Sequence, residues 1–216
     1  MDIQNGSDRG QKMNIIINVG RQLGAGGHAI GRMLADEFKA KYYDKEILNL
    51  AARESGFSEE FFEQSDERRG FLRSLFHIHA PRVSDNSFYQ NNFSQESLFK
   101  FQSDAIRHEA ARESCIFVGR CADYVLRDYP CVANVFITAS MDFRASNVMQ
   151  RRGVGADEAR RIIEQEERRR AEYYQYYTGK KWGHSSSYDL CIDSSALGLE
   201  STEQFIADFV RRKFKI

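Results

Sequence analysis

The feature that most constrains the fold of this chain is a strand, a glycine-rich turn and a helix that follow one another in residues 14–38. Residues 14–19 are rich in isoleucine and valine, which predicts a buried strand. Four glycines follow within eight residues, and residues 29–38 place apolar side chains at helical spacing. Glycines let the backbone approach an anion closely, and a helix N-terminus carries partial positive charge. The segment therefore predicts a phosphate cradle, with candidate binding residues Gly20, Gly24, Ala25, Gly26, Gly27 and His28.

This turn lacks two chemical groups of the Walker A motif, which reads G-x-x-x-x-G-K-[ST]. When the two are aligned on Gly26, the lysine position holds Gly27, the hydroxyl position holds His28, and Arg21 stands at the first glycine. We predict that the guanidinium of Arg21 supplies the missing positive charge. Two alternatives remain at this point. The turn is a tight connection without a ligand, or Arg21 only braces it by pairing with a carboxylate such as Asp44.

Two further polar residues follow predicted strands. Asp44 ends a short strand at residues 41–44, and Arg120 follows the apolar run at residues 115–118 and Gly119. Open α/β sheets bind ligands at the carboxyl ends of their strands, so we expect both residues at the site, where the donors of Arg120 suit a phosphate or a carboxylate. The alternatives are that Asp44 caps a helix and that Arg120 forms a surface salt bridge.

An arginine-rich segment predicts a helical hairpin that closes over a polyphosphate as a lid. Its helices are predicted at residues 141–152 and 157–177, and its candidate catalytic residues are Arg144, Arg152 and Arg168. The alternative is a solvated helix surface with i,i+4 pairs such as Glu166 with Arg170.

Strands alternate with helices along the chain, which predicts an α/β fold with a parallel sheet and helices on both faces. Further strands are predicted at residues 132–138 and 188–193. Helices are predicted at residues 94–114 and 201–214, the latter with Phe205, Ile206, Phe209 and Val210 directed inward. Residues 55–92, which are rich in aromatic side chains without a clear period, are expected to form an inserted lobe.

Length and charge exclude several classes of protein. The chain has 216 residues with 31 basic and 31 acidic side chains, so its balance favours neither nucleic acid nor a membrane surface as partner. Its four cysteines form no CxxC pair, so we expect no metal site and a reduced, cytoplasmic setting.

We predict a flexible tail (residues 1–12) and one domain (13–216) with an acceptor-side helical lobe (45–114) and the lid hairpin (144–180).

Five segments in this order resemble the bacterial cytidylate kinases and, more closely, the cytidylate kinase-like family. GRQLGAGGHAIG resembles the phosphate loop of these relatives, which also lacks the Walker lysine. VGRCADYVL resembles a GRD segment whose arginine holds the acceptor phosphate, a role that passes to Arg120; the aspartate of that segment is Cys121 here. FITASMDFRA and EERRRAEYY resemble the two sides of the lid, which assigns lid roles to Arg144, Arg168, Arg169 and Arg170. YDLCIDSSALGLE resembles the last strand and turn. The resemblance covers residues 14–210.

The resemblance implies a three-layer P-loop kinase-like sandwich with strand order 2-3-1-4-5. It also implies phosphoryl transfer from ATP, with Mg²⁺, to a nucleoside monophosphate or another small phosphate-bearing acceptor, which Asp44 and Arg120 would bind. Two other functions remain open: a nucleotide-binding regulator that has lost catalysis, and an interaction protein that uses residues 55–92. An oligomer is possible under each of them.

Overall fold

A computed structural model describes the backbone of residues 14–44 and 87–216, and the side chains of residues 14–44 and 96–216. Five parallel strands form one sheet in the order β2-β3-β1-β4-β5, which confirms the expected order. The predicted tail, residues 45–86 of the predicted lobe and the helices expected there lie outside the described residues. The strands are β1 (Ile16–Arg21), β2 (Lys41–Tyr43), β3 (Cys115–Val118), β4 (Val132–Thr138) and β5 (Leu190–Asp193).

The apolar run of β1 takes the centre of the sheet, between β3 and β4. Ile16, Ile17 and Val19 are fully buried because helices cover both faces of the sheet. The described helices are α1 (Gly27–Phe38), α2 (Ser87–Arg112), α3 (Ala122–Val125), α4 (Met141–Arg152), α5 (Ala156–Thr178), α6 (Ser194–Leu197) and α7 (Leu199–Phe214), with a 3₁₀ turn at Ser185–Ser187.

The two faces of the sheet carry separate apolar cores. On one face Ile30 and Leu34 of α1 and Ile206 and Val210 of α7 pack against Val19 and its neighbours. On the other face Ala105 and Ile106 of α2 pack with Phe117 and with residues of α3. This three-layer arrangement is the fold that the alternating sequence pattern predicts.

The helices α4 and α5 form the predicted hairpin, which has a small core of its own. Ala145 and Val148 of α4 pack against Ala159 and Ile163 of α5. Arg144 joins the two helices, since its Nη1 donates to Glu167 Oε1 at 2.5 Å and its Nε donates to the carbonyl of Ala139 at 3.0 Å. The hairpin is thus anchored at its base to the end of β4.

Several element boundaries differ from those predicted. β1 runs two residues further, through Gly20 and Arg21, because these residues pair with Phe136 and Ile137 of β4. The helix expected from residue 94 begins at Ser87. In α7 the inward orientation predicted for Phe205 is wrong, since this side chain is 54% exposed. In the described part of the chain, no helix combines the length and apolar character needed to cross a membrane.

Candidate active site

A cavity of about 530 Å³ opens at the carboxyl ends of β1 and β3, under the lid hairpin. Crevices at this edge of an open α/β sheet are where such folds bind ligands. The cavity is strongly basic, because the described residues that line it include five arginines but two carboxylates, Asp123 and Glu166. The five arginines are Arg21, Arg120, Arg152, Arg169 and Arg170.

The glycine-rich turn is held in place by hydrogen bonds to its carbonyl groups. Asn147 Nδ2 donates to Gly24 O at 2.8 Å, and Ser194 Oγ donates to Ala25 O at 2.8 Å. No described side chain caps α1, whose N-cap residue is Gly26. The first amide groups of an uncapped helix are available to an anion, so the turn combines a fixed backbone with open donors.

The side chain of Arg21 occupies the space that a Walker lysine would need. A Cβ on Gly27 would lie 2.6 Å from both Cβ and Cγ of Arg21, so the arginine stem crosses the turn over Gly27. Further along, Arg21 Nη1 lies against Gly119, where a Cβ would collide with it. Glycines at these two positions therefore let Arg21 reach from the end of β1 to the end of β3, into the cavity.

The charge of Arg21 is poorly compensated. Burial, and after it the nearby charges of Arg170 and Arg120, lower the pKa of Arg21 to about 9, and the opposing effects of Tyr42 and Asp44 are smaller. Arg21 Nε is buried and makes no hydrogen bond to any described residue. A cation in this state gains strongly from a bound anion.

His28 is a neutral imidazole whose two nitrogens have different partners. Because a guanidinium can only donate, Arg21 Nη2 donates to His28 Nε2 at 3.3 Å. The ring proton is then on Nδ1, which donates to Tyr42 Oη at 2.8 Å and lies 3.9 Å from Asp44 Oδ2. Burial and the charge of Arg21 lower the pKa of His28 to about 4.

This lowered pKa predicts an acid-sensitive fold. Between pH 6.5 and about 4 the unfolded chain binds a proton at this histidine that the folded chain rejects, so stability falls as the pH drops through this window. The variant His28→Asn should lose melting temperature less steeply than the unmodified protein over this range. His184→Asn, at an exposed position, controls for the loss of a histidine as such. If the melting temperatures of the protein and of the His28 variant fall equally steeply with pH, the assignment of the shifted pKa to His28 is contradicted.

Arg120 enters the cavity through an unusual stretch of backbone. Gly119, Arg120 and Cys121 have φ values of 81°, 60° and 55°, so three successive residues adopt the left-handed region. Non-glycine residues rarely adopt this conformation, and such strain concentrates at functional sites. The turn directs Arg120 toward the lid, where its Cζ lies 5.7 Å from the centre of the Tyr173 ring.

The structure brings most of the predicted site residues together. Arg21, Arg120, Arg152, Gly20 and His28 line one cavity. Gly24, Ala25 and Gly26 form the adjoining turn, Gly27 begins α1, and the buried Asp44 lies directly after β2.

Two predicted lid arginines are not among the residues lining the cavity. Arg144 is 5% exposed and engaged with Glu167, so a catalytic contact for it does not fit this placement, and its observed role is to hold the hairpin together. Arg168 is exposed on α5. Arg169 and Arg170, which the resemblance also assigns to the lid, do line the cavity, and Arg170 Nη1 donates to the carbonyl of Arg21 at 3.0 Å.

Sequence reasoning missed a polar and aromatic part of the cavity on the α2 side of the sheet. Asp123 follows two residues after Cys121, and Tyr174 Oη donates to its Oδ2 at 2.6 Å. The one available sequence indication was the cluster of tyrosines in the second half of α5. These residues continue the cavity down the sheet face: Asn18, Asp123, Tyr173, Tyr174, Trp182 and Tyr188.

Comparison with known proteins extends the resemblance found in the sequence. The chain is 24% identical over 200 residues to a cytidylate kinase of Methanopyrus kandleri, covering 88% of this chain and 90% of the other. It is 31% identical over 108 residues to a cytidylate kinase of Pyrobaculum calidifontis, covering 50% of this chain and 58% of the other.

Solved structures with the same architecture include an uncharacterized protein from Eubacterium ventriosum ATCC 27560, with a TM-score of 0.71 and 28% identity over 92% of this chain and 99% of that one. A shikimate kinase from Bacteroides thetaiotaomicron has a TM-score of 0.52 and 14% identity over 91% of this chain and 98% of that one, a likeness of fold alone. The profile of the cytidylate kinase-like family matches residues 16–196. With this match across the sheet, the phosphate turn and the lid, the chain belongs to the cytidylate kinase-like family.

Proposed function

We propose that this protein transfers a phosphoryl group from ATP to a small phosphate-bearing acceptor, with nucleoside monophosphates as the first class to test. The observation that supports the proposal is the path of Arg21, whose stem crosses Gly27 at the lysine position of the Walker motif and whose guanidinium lies against Gly119 beside the cavity. The names of the two curated relatives, both cytidylate kinases, support the same class of acceptor.

The charges of the cavity suit the chemistry of phosphoryl transfer, which depends on positioning and on neutralising charge. The uncapped amides of α1 and the guanidinium of Arg21 would hold the donor phosphates at the end of β1. Arg120, at the end of the neighbouring strand β3, would hold the acceptor phosphate with a planar fork of donors. The two anions would then meet between adjacent strand ends.

The lid would complete the site from above. Arg152, Arg169 and Arg170 line the cavity from the hairpin, and Arg170 is already tied to the backbone of the phosphate turn. Burial lowers the pKa of Arg170, so a bound anion would relieve the cost of its charge as it would for Arg21. In the proposed reaction these side chains would stabilise charge on the transferred group.

The residues described around the phosphate turn do not form a ready set of ligands for Mg²⁺. Magnesium prefers oxygen ligands, and His28, at the hydroxyl position, offers only nitrogens that contact Arg21 and Tyr42. In the described ranges no group of three or more His, Cys, Asp or Glu side chains is arranged for a metal ion. When bound, the ion supplies further neutralisation of phosphate charge.

The direct test is release of ADP from Mg²⁺-ATP in the presence of a panel of nucleoside monophosphates and other small phosphate esters. We expect acceptor-dependent ADP release with at least one member of the panel. ADP release that never exceeds the acceptor-free rate would contradict the proposal.

A second candidate function is a nucleotide-binding regulator without turnover, which the absence of a lysine at Gly27 favours. This candidate would be supported if ATP raised the melting temperature while no acceptor in the panel increased the release of ADP. The third possibility, an interaction protein that uses residues 55–92, concerns a segment of which the structure describes only the backbone from residue 87.

A further inference from the structure

The side chain of Arg21 excludes a lysine from the phosphate turn. The three atoms nearest to a Cβ on Gly27 would all belong to Arg21, with its Cβ and Cγ at 2.6 Å and its Cδ at 3.4 Å. The backbone itself would accept a side chain there, because Gly27 does not share the positive φ of Gly24 and Gly26. Arg21 and a lysine at position 27 are therefore alternatives, and this chain has the arginine.

His28 stands at the position where the Walker motif has a hydroxyl for the metal ion, and both of its ring nitrogens are engaged. Its Nε2 accepts from Arg21 Nη2 at 3.3 Å, and its Nδ1 donates to Tyr42 Oη at 2.8 Å. The neutral ring thus has no lone pair left for an ion. Its contact with Arg21 also fixes a positive charge at this position, which would repel a divalent cation.

The carboxylates described near the turn already have partners or do not line the cavity. Asp123 Oδ2 accepts from Tyr174 Oη at 2.6 Å. Glu166 Oε1 accepts from Arg169 Nη1 at 3.2 Å. Asp44, beside His28, is 6% exposed and is not among the residues that line the cavity. The described part of the site therefore presents guanidinium groups to a phosphate chain, and not the oxygen ligands that magnesium prefers.

We propose, building on the proposed function, that the donor site binds the triphosphate as the metal-free anion, with the guanidinium of Arg21, held by His28, in place of both the lysine and the metal ion. Free ATP carries two more negative charges than its magnesium complex at mildly alkaline pH. Arg170, which bonds to the carbonyl of Arg21, adds a second cation beside the turn. The site therefore prefers the free anion to the complex.

The test compares the two forms of one ligand. Calorimetric titration of the unmodified protein with ATP, in EDTA and in excess Mg²⁺ at the same ionic strength, sets the free anion against the magnesium complex. We expect binding in EDTA to be roughly tenfold tighter or better, because attraction to the arginines grows with the charge of the ligand. Equal affinity in the two buffers, tighter binding in Mg²⁺, or no binding in EDTA would overturn the proposal.

A single substitution tests the role of Arg21. Arg21→Met should weaken the binding of ATP in EDTA by roughly tenfold and its binding in Mg²⁺ by less. Arg161→Met is the matched control, since Arg161 is exposed on α5 and pairs with Glu158 there, and it should change neither affinity appreciably. An equal loss in both buffers for a folded Arg21→Met protein would refute the claim that Arg21 replaces the ion.

A triple substitution tests the turn as a whole. Arg21→Gly, Gly27→Lys and His28→Ser together write the Walker A pattern into residues 21–28. This variant should reverse the preference, because it removes the guanidinium and offers a hydroxyl to the ion. A folded triple variant that still binds ATP more tightly in EDTA would refute the proposal. If a variant does not fold, the comparison of the two buffers on the unmodified protein still decides.

Binding and turnover separate this proposal from the one on which it rests. Acceptor-dependent ADP release together with tighter binding in Mg²⁺ would leave phosphoryl transfer standing and remove the metal-free donor site. Tighter binding in EDTA without any ADP release would support the metal-free site and remove phosphoryl transfer.

Discussion

Replacement of Arg21 by methionine is expected to lower acceptor-dependent ADP release by roughly 10³-fold or more, the range seen when a phosphate-binding arginine is lost. The same change should leave the melting temperature of the ligand-free protein unchanged or higher. The reason is that Arg21 is a buried cation repelled by Arg170 and Arg120, and methionine fills a similar volume without that charge. The substitution should therefore lower activity without lowering stability.

Two comparisons make this experiment decisive. Arg161→Met, on the exposed surface of α5 where Arg161 pairs with Glu158, should change neither quantity appreciably. Under the bracing alternative, Arg21→Met would instead lower the melting temperature while each folded molecule stayed active. A second change, Asp44→Asn, would then partly restore stability. Either of these results would refute the catalytic assignment.

Replacement of Arg120 by lysine is expected to lower kcat/KM for the acceptor, which corresponds to a loss of about 1–3 kcal/mol of transition-state stabilisation. The reason is that an ammonium loses the planar fork but keeps the charge. Arg120→Asn should lower it further, and it should do so with the fold intact because asparagine tolerates the left-handed conformation that Arg120 adopts. The KM for ATP should change little in both variants.

The measurement is initial-rate kinetics with each substrate varied in turn. If the KM for ATP rises in both Arg120 variants while kcat/KM for the acceptor is unchanged, Arg120 belongs to the donor site. The donor phosphates would then bind at the end of β3 and not at the end of β1. A melting temperature that falls only in Arg120→Asn would show that a positive charge at this position, which lysine keeps, stabilises the turn.

The fold could be predicted to a large extent because its strands are short apolar runs that are buried on both faces. β3 and β4 have the predicted bounds, Cys115–Val118 and Val132–Thr138. The strand order came from the resemblance to a family, since pairing between distant segments leaves no periodic trace in one sequence. The end of β1 was missed because Gly20 and Arg21 are unusual strand residues whose place depends on pairing with β4.

The site was predictable only where it depends on local chain geometry. The glycine turn and Arg120 follow directly from strand ends, and the cavity lies there. Which lid arginines face the cavity depends on how α4 and α5 are rotated, and packing between Ala145 and Ile163 and their neighbours decides that rotation. Helical spacing alone could not separate Arg144, which is buried within the hairpin, from Arg170, which reaches the phosphate turn.

A structure of the complex with a non-hydrolysable ATP analogue tests the central claim most directly. We predict that the guanidinium of Arg21 lies within hydrogen-bonding distance of β- or γ-phosphate oxygens, with the phosphates at the N-terminus of α1. The buried Nε of Arg21 should gain a partner in that complex. A complex in which Arg21 lies beyond hydrogen-bonding distance of every phosphate oxygen would contradict the claim that this arginine replaces the Walker lysine.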